Sequence, residues 1–178
     1  AHVLGGKIAD DKILYGIVMP PRASAEVRHA DGHVFLWIIV PPVGARTVLV
    51  VEDNPDMVHF FRRATVGTPY RIIHTDRGAE VSAIVEATSP DVVVLDVMLP
   101  DVDGWKLLTY LRQDAATRSM PLIVCSVIRE EQLARALGAD YFLAKPFQAR
   151  HLVEALNQVL RQTSERLSRD ARRRPASC

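Results

Sequence analysis

The sequence predicts an α/β domain with a doubly wound sheet of five parallel strands, preceded by a small β-rich extension. From residue 46 onward, short runs of β-branched residues alternate with helical patterns, which gives five strand–helix units. The runs VLVV, VVVL and LIVC are almost continuously apolar, which is typical of strands buried on both faces of a parallel sheet. In such sheets, reactive groups collect at the carboxyl ends of the strands.

Each element of the domain has its own sequence signals. Asn54 followed by Pro55 indicates a helix N-cap with proline in the first turn, and Asp103 can cap a later helix in the same way. Gly138 is placed to end the fourth helix. We expect strands over residues 47–51, 70–75, 91–96, 122–126 and 141–144, and helices near 55–66, 77–87, 103–113, 129–137 and 147–163.

Residues 1–45 have a different pattern, with strands expected over 13–19, 25–29 and 33–40. Asp31-Gly32 indicates a hairpin turn between the last two strands, and the sequence PPVG then forms a stiff linker. A segment this small seldom buries enough surface to fold alone, so it either packs on the α/β domain or belongs to a larger domain. The expected organisation is an extension at 1–45, the α/β domain at 46–163 and a basic tail at 164–178.

The composition is that of a globular protein, with 48% apolar and 24% charged residues in a chain of 178. The longest apolar run, residues 34–43, is interrupted by prolines and is far shorter than the roughly 20 residues of a membrane helix. No secretory leader is recognisable and two cysteines cannot form a disulfide framework, so we expect a cytoplasmic protein without membrane attachment. The arginines of residues 161–178 have no interleaved aromatic residue, so we expect a solvated tail and no specific nucleic-acid binding.

Three carboxylates follow predicted strands: Glu52 and Asp53 come after the first strand, and Asp96 ends the third. If these strands lie side by side, the three acids converge at one edge of the sheet and repel one another. A hard divalent cation with oxygen ligands would resolve this repulsion, and Mg²⁺ uses few carboxylates while it keeps several waters. The sequence therefore predicts a Mg²⁺ site.

Two further side chains complete the predicted site. Ser126 ends the fourth strand and supplies a hydroxyl, and Lys145 follows the fifth strand and supplies an ammonium group. A lysine that faces carboxylates can neutralise one acid and bind a phosphoryl oxygen. Carboxylate, metal, hydroxyl and ammonium together are the groups that phosphoryl transfer to an aspartate requires, with Asp96 as the nucleophile.

Four blocks of the sequence, VLVVEDNPD, VVVLDVMLPDVDGW, PLIVCS and GADYFLAKPF, resemble the signature blocks of response-regulator receiver domains of two-component signalling. The resemblance covers residues 46–162 and implies a flavodoxin-like receiver fold. It implies Asp96 as phosphoacceptor, Glu52, Asp53, Asp96 and the main-chain carbonyl of Met98 as Mg²⁺ ligands, Ser126 and Phe142 as switch residues, and Lys145 before a cis proline.

The same resemblance implies partners and one departure from the family pattern. A histidine kinase or a histidine phosphotransfer protein would donate the phosphoryl group, and the chain could form a homodimer. The segment between Ser126 and Gly138 is nearly one helical turn shorter than the family pattern. In this family, the fourth helix contributes to the signalling and dimerisation face, so the shortening changes that face and leaves the site in place.

Several alternatives stay open at this point. A Mg²⁺-dependent phosphatase with an aspartate nucleophile would carry a second aspartate where this chain has Met98, and its acid pair would follow the nucleophile. A flavin-binding protein of the same fold would carry a phosphate-binding loop after the first strand. A receiver-like module that is never phosphorylated is the third alternative. Residues 1–45 also resemble the end of a histidine-kinase ATP-binding domain, so the chain could be the receiver of a hybrid kinase.

Overall fold

The strands of the α/β domain lie where the sequence predicts them. The computed structural model describes residues 13–14, 17–18, 24–30, 33–39 and 44–173. Among the described residues, four strands precede this domain: β1 (Ile13–Leu14), β2 (Ile17–Val18), β3 (Ser24–Ala30) and β4 (His33–Ile39). The domain contains the strands β5 (Arg46–Val51), β6 (Tyr70–Thr75), β7 (Val92–Leu95), β8 (Leu122–Ser126) and β9 (Tyr141–Ala144). They form one parallel sheet in the order β6-β5-β7-β8-β9, which confirms the predicted doubly wound sheet.

Helices cover both faces of this sheet. They are α1 (Pro55–Ala64), α2 (Val81–Thr88), α3 (Gly104–Gln113), α4 (Glu131–Ala136) and α5 (Ala149–Arg173). Alternate strand residues face opposite layers: Leu49 and Val93 pack with residues of α2, α3 and α4, whereas Val50 and Val94 pack with residues of α1 and α5. Because both faces are buried, the central strands contain almost no polar residue.

The predicted capping residues position the helices that border the site. The side chain of Asn54 accepts hydrogen bonds from the N–H groups of residues 56 and 57, and Pro55 occupies the first turn of α1. Asp103 accepts from the N–H groups of residues 105 and 106 at the start of α3. Gly138 has a φ of +100°, as expected of a glycine after the end of a helix.

Several element boundaries differ from the prediction. Helix α1 ends at Ala64, where Thr65 turns its hydroxyl back to the carbonyl of Phe61. The region predicted as one helix from residue 77 begins as a 3₁₀ segment, Gly78–Glu80, and continues as α2. Helix α5 extends to Arg173, ten residues beyond the predicted end at 163. Good helix formers fill this stretch, and no glycine or proline interrupts it before Pro175.

The N-terminal strands form a unit of their own, which separates from residues 46–178 at Ala45. Strands β3 (Ser24–Ala30) and β4 (His33–Ile39) pair in antiparallel fashion, with Ala30 opposite His33, as expected for a hairpin with two connecting residues. The predicted turn residues, 31 and 32, and most of the predicted linker lie outside the described residues.

The single strand predicted over residues 13–19 is wrong. Strands β1 (Ile13–Leu14) and β2 (Ile17–Val18) pair with each other in antiparallel fashion, and Leu14 lies opposite Ile17. One of the two residues between them in the sequence is glycine, a residue type that two-residue turns favour. In the part of the chain that is described, no helix combines the length and the apolar character that crossing a membrane requires.

Candidate functional site

The carboxyl edge of the parallel sheet gathers the predicted site residues. Glu52 directly follows β5, Asp96 follows β7, Ser126 ends β8 and Lys145 follows β9. Strand β7 lies between β5 and β8, and β9 lies next to β8, so four neighbouring strands end at this edge. The parallel sheet therefore brings together residues that lie up to 93 positions apart in the chain.

Lys145 bridges two buried carboxylates. Its Nζ donates to Oε2 of Glu52 at 2.6 Å and to Oδ2 of Asp96 at 2.5 Å. The side chains are 10%, 2% and 7% exposed for Lys145, Glu52 and Asp96 respectively, so water screens these contacts weakly. One ammonium group thus lies between two acids and reduces the repulsion between them.

The main chain supplies the remaining hydrogen bonds to the two acids. The N–H of Met98 donates to Oδ1 of Asp96 at 2.9 Å, and the N–H of Asn54 donates to Oε1 of Glu52 at 3.3 Å. Every carboxylate oxygen of the pair therefore accepts a hydrogen bond. A carboxylate oxygen can accept two, so the Asp96 oxygens keep lone pairs for a further partner.

Burial and charge act in opposite directions on these groups. Burial raises the pKa of Glu52 above its ordinary value of 4.5, and the hydrogen bond from Lys145 opposes this rise. Burial also acts to lower the pKa of Lys145, but the hydrogen bonds to Asp96 and Glu52 outweigh it, so that this pKa is raised above 10.5. Lys145 is therefore a cation at neutral pH.

Ser126 ends β8 at the same edge of the sheet as this cluster, and Phe142 lies on the neighbouring strand β9. The Oγ atom of Ser126 is fully buried and accepts the N–H of Ile128 at 3.1 Å, while its carbonyl accepts the N–H of Lys145 at 2.9 Å. This second bond fixes the main chain of Lys145 against β8. Phe142 is buried in the hydrophobic core that it shares with residues of α2, α3 and α4. The peptide bond between Lys145 and Pro146 is cis, as the resemblance to receiver domains implies.

Comparison with known proteins identifies the family. The family model described as "response regulator receiver domain" matches residues 48–157, which are more than half of the chain. The chain belongs to this family. The phosphate regulon transcriptional regulatory protein PhoB of Pseudomonas aeruginosa is 31% identical over 121 residues, which are 66% of this chain and 53% of that protein. The chain therefore spans about half the length of this curated relative.

Solved receiver structures agree with the fold. A response regulator from Chloroflexus aurantiacus is 27% identical, with a TM-score of 0.62, and covers 65% of this chain and 98% of its own. The receiver domain of a sensor histidine kinase from Pseudomonas aeruginosa is 24% identical, with a TM-score of 0.59, over 65% of this chain and 98% of its own. That structure has a magnesium ion coordinated in its active-site cleft. The predicted family and the predicted flavodoxin-like sheet are confirmed.

The receiver site contains oxygen atoms that suit Mg²⁺ as ligands, but the described side chains are not arranged around one common metal position. Among the residues that the structure describes, no group of three or more acidic, histidine or cysteine side chains is arranged to hold a metal ion. Asp53 is exposed, whereas the Glu52 carboxylate is turned to Lys145. Mg²⁺ commonly takes one or two carboxylates and fills its other positions with water. Asp53, Asp96 and the carbonyl of Met98 can meet this need, and their role as ligands stays a prediction.

Two residues near the receiver site make contacts that the sequence does not predict. His74 on β6 donates its Nε2–H to the carbonyl of Glu52 at 2.8 Å, since a carbonyl can only accept. Asp101 accepts hydrogen bonds from the N–H groups of Gly78 and Ala79. Both contacts join residues that are more than twenty positions apart, so no local pattern could have indicated them.

Proposed function

We propose that this receiver domain is the phosphoacceptor of a two-component phosphorelay. It takes a phosphoryl group onto Asp96 from a phosphohistidine of a histidine kinase or of a histidine phosphotransfer protein. The observation that carries the proposal is the pairing of a buried Asp96 with the Lys145 ammonium at 2.5 Å. Such a pair combines a nucleophilic carboxylate with a fixed positive charge at the position where phosphoryl charge would arrive.

In the transfer, the protein supplies one nucleophilic oxygen and otherwise contributes positioning and charge stabilisation. An oxygen of Asp96 attacks phosphorus in line, a phosphorus–oxygen bond forms, and the phosphorus–nitrogen bond of the donor histidine breaks with its electron pair returning to nitrogen. Lys145 stays beside the new acyl phosphate and stabilises its equatorial oxygens. Bound Mg²⁺ would supply further stabilisation of phosphoryl charge, with Asp53, Asp96 and the Met98 carbonyl as the residues to hold it.

Ser126 and Phe142 are proposed to report the phosphorylated state. The hydroxyl oxygen of Ser126 already accepts the Ile128 N–H, which leaves its hydrogen for donation to a phosphoryl oxygen. A shift of Ser126 would move β8, on which Val124 lies opposite Phe142 of the neighbouring strand β9. Phe142 would therefore change its position as well. The resulting change would reach α4, which has only six residues in this chain.

Intact-mass analysis tests this proposal. Acetyl phosphate with Mg²⁺ should add one phosphoryl group to the wild type, and chelation or Asp96→Asn should abolish the adduct. Asp114→Asn is a matched control, because Asp114 also accepts a main-chain N–H but lies beyond the end of α3. An adduct that persists in Asp96→Asn would overturn the assignment.

The same preparation separates a receiver from a phosphatase. A receiver should not turn over a generic phosphomonoester, whereas a phosphatase of the aspartate type should release phosphate continuously. Met98 stands where such a phosphatase would need its second aspartate, and its thioether cannot act as a general acid or base. Sustained turnover that disappears in Asp96→Asn would favour the phosphatase.

A further inference from the structure

The loop between β7 and α3, residues 96–103, carries both the phosphoacceptor and the main-chain group that holds it. Two contacts fold this loop back on itself. A Cβ atom at Gly104 would lie 2.3 Å from the Cα of Val97, so the chain approaches closely only because residue 104 is glycine. Met98 also pairs with Asp103 in an isolated antiparallel bridge. These contacts define the shape of the loop but do not tie it to the rest of the domain.

Asp101 supplies that tie. Its two carboxylate oxygens accept the N–H groups of Gly78 and Ala79, each at 3.1 Å. These N–H groups open the 3₁₀ segment before α2, where main-chain donors have no partner within the helix. The preceding residue, Arg77, makes no side-chain capping bond. Asp101 therefore caps a helical segment that lies 22–23 residues away in the chain.

The surroundings of Gly78 fit this contact closely. A Cβ atom at Gly78 would lie 2.2 Å from Cγ2 of Val102 and 3.0 Å from Cδ1 of Leu99. Only glycine lets the loop residues that flank Asp101 reach the main chain there. The hydrogen bonds from Ala79 and Gly78 hold the pKa of Asp101 below its usual range, so Asp101 is ionised and can accept from both groups at neutral pH.

The capped segment is also connected to the other acid of the site. Thr75, at the end of β6, donates its hydroxyl hydrogen to Oε2 of Glu80 at 2.9 Å and accepts the N–H of Arg77 at 3.1 Å. The carbonyl of Thr75 accepts the N–H of Glu52 at 3.1 Å. The turn between β6 and α2 thus contacts both the Asp101 loop and the strand end that carries Glu52.

We infer that Asp101 is a positioning residue that clamps the β7–α3 loop to the start of α2 and thereby holds the Met98 main chain against Asp96. This inference rests on the proposed phosphoacceptor function. Loss of the clamp frees the loop, so that the Met98 N–H no longer fixes Asp96 and the Met98 carbonyl is less well placed for Mg²⁺. Partners of metal ligands typically change metal affinity about 10–100-fold when they are removed.

The first measurement is amide hydrogen exchange on the whole chain, without any phosphodonor. In Asp101→Ala, the amides of Gly78, Ala79 and Met98 should exchange at least about tenfold faster than in the wild type. Asp101→Asn keeps one acceptor oxygen and should give intermediate rates. Asp114→Ala removes a comparable hydrogen bond far from the site and should leave these three amides unchanged.

The second measurement is phosphorylation by acetyl phosphate as a function of Mg²⁺ concentration. Asp101→Ala should raise the half-saturating Mg²⁺ concentration about tenfold, while the maximal rate changes much less. Gly78→Ala perturbs the clamp from the opposite side, because its methyl group would collide with Val102, and should shift the Mg²⁺ dependence in the same direction. Thermal unfolding identifies variants that are folded. If Asp101→Ala does not fold, Asp101→Asn decides the outcome.

Two results would overturn the clamp. One is unchanged exchange of the Gly78 and Ala79 amides in both Asp101 variants. The other is faster exchange of these two amides with an unchanged Met98 amide and an unchanged Mg²⁺ dependence, because Asp101 would then only cap the helix. A wild type that takes up no phosphoryl group counts against the proposed function instead, and the Met98 amide still decides whether the clamp exists.

Discussion

Removing the charge of Lys145 should cost the domain much of its stability, by an amount that depends on pH. Lys145→Met keeps the length of the side chain but leaves Glu52 and Asp96 buried without a cation. Breaking a buried ion pair from one side costs about 3–5 kcal/mol of unfolding free energy. Protonation limits this loss. A carboxyl with an ordinary pKa of 4.5 can be neutralised at pH 7 for about 3 kcal/mol. We therefore expect a loss of about 3 kcal/mol at pH 7.

The sign of the pH dependence follows from the direction of the pKa shift. Without Lys145, the pKa of Glu52 rises further, so the folded variant binds a proton that the unfolded chain has released at pH 7. As the pH falls toward 4.5, the unfolded chain takes up the same proton and the deficit shrinks. In the wild type, the raised pKa of Lys145 means that its contribution is present below about 10.5 and is lost only in strong base.

Urea unfolding in the presence of a chelator, at pH 7 and at pH 5, measures this deficit. The lysine on the exposed side of α3 provides the matched control: Lys106→Met should change the unfolding free energy by less than about 0.5 kcal/mol at either pH. The reasoning is refuted if Lys145→Met unfolds within about 1 kcal/mol of the wild type at pH 7, or if its deficit is the same at pH 5.

Three further outcomes are expected. Millimolar Mg²⁺ should raise the melting temperature of the wild type by mass action, and Asp53→Ala should abolish the rise; equal melting in Mg²⁺ and in chelator would contradict this. Met98→Asn combined with Ile128→Glu should speed the loss of the phosphoryl group, because the apolar side chains of the wild type cannot orient the attacking water. Mass spectrometry measures the lifetime of the phosphorylated state, and an unchanged lifetime would refute this prediction. Arg112→Met should cost about 3 kcal/mol in urea unfolding, since its mostly buried guanidinium lies 2.6 Å from the carboxylate of Asp140. Arg135→Met breaks only an exposed pair and should cost about 0.5 kcal/mol, and equal losses would contradict the argument.

Much of the fold could be predicted because its signals are local. The strands at 70–75, 122–126 and 141–144 begin and end as predicted, since short runs rich in aliphatic and aromatic residues are bounded by turn residues there. Asn54 and Asp103 cap helices as predicted because the acceptor and its donors lie within three residues. The convergence of Glu52, Asp96 and Lys145 could also be predicted, because parallel strands end at the same edge.

The remaining differences arise where distant contacts or weak propensities decide. No apolar periodicity indicates the extension of α5 to Arg173, which depends on residues that favour helices and on the lack of a breaker before Pro175. The sequence predicts that Lys145 neutralises one acid of the cluster, but it does not indicate that Lys145 bridges Glu52 and Asp96. The role of Glu52 as a metal ligand stays a prediction. The sequence does not distinguish Asp101 from an ordinary loop residue, because its hydrogen-bond partners lie more than twenty residues earlier in the chain.

The charge balance of the site explains why phosphoryl uptake should depend on a cation. A single ammonium group lies between the buried carboxyl groups of Glu52 and Asp96, and it can balance at most one negative charge of the pair. Phosphorylation would exchange the carboxylate charge of Asp96 for the charge of an acyl phosphate dianion, while Lys145 still pairs with Glu52. The cluster would then hold one more negative charge in a region that water screens weakly. Lys145 cannot compensate both the Glu52 carboxylate and the acyl phosphate dianion, which leaves the additional positive charge to a divalent ion. The exposed Asp53, directly after Glu52, is a further carboxylate that could bind this ion.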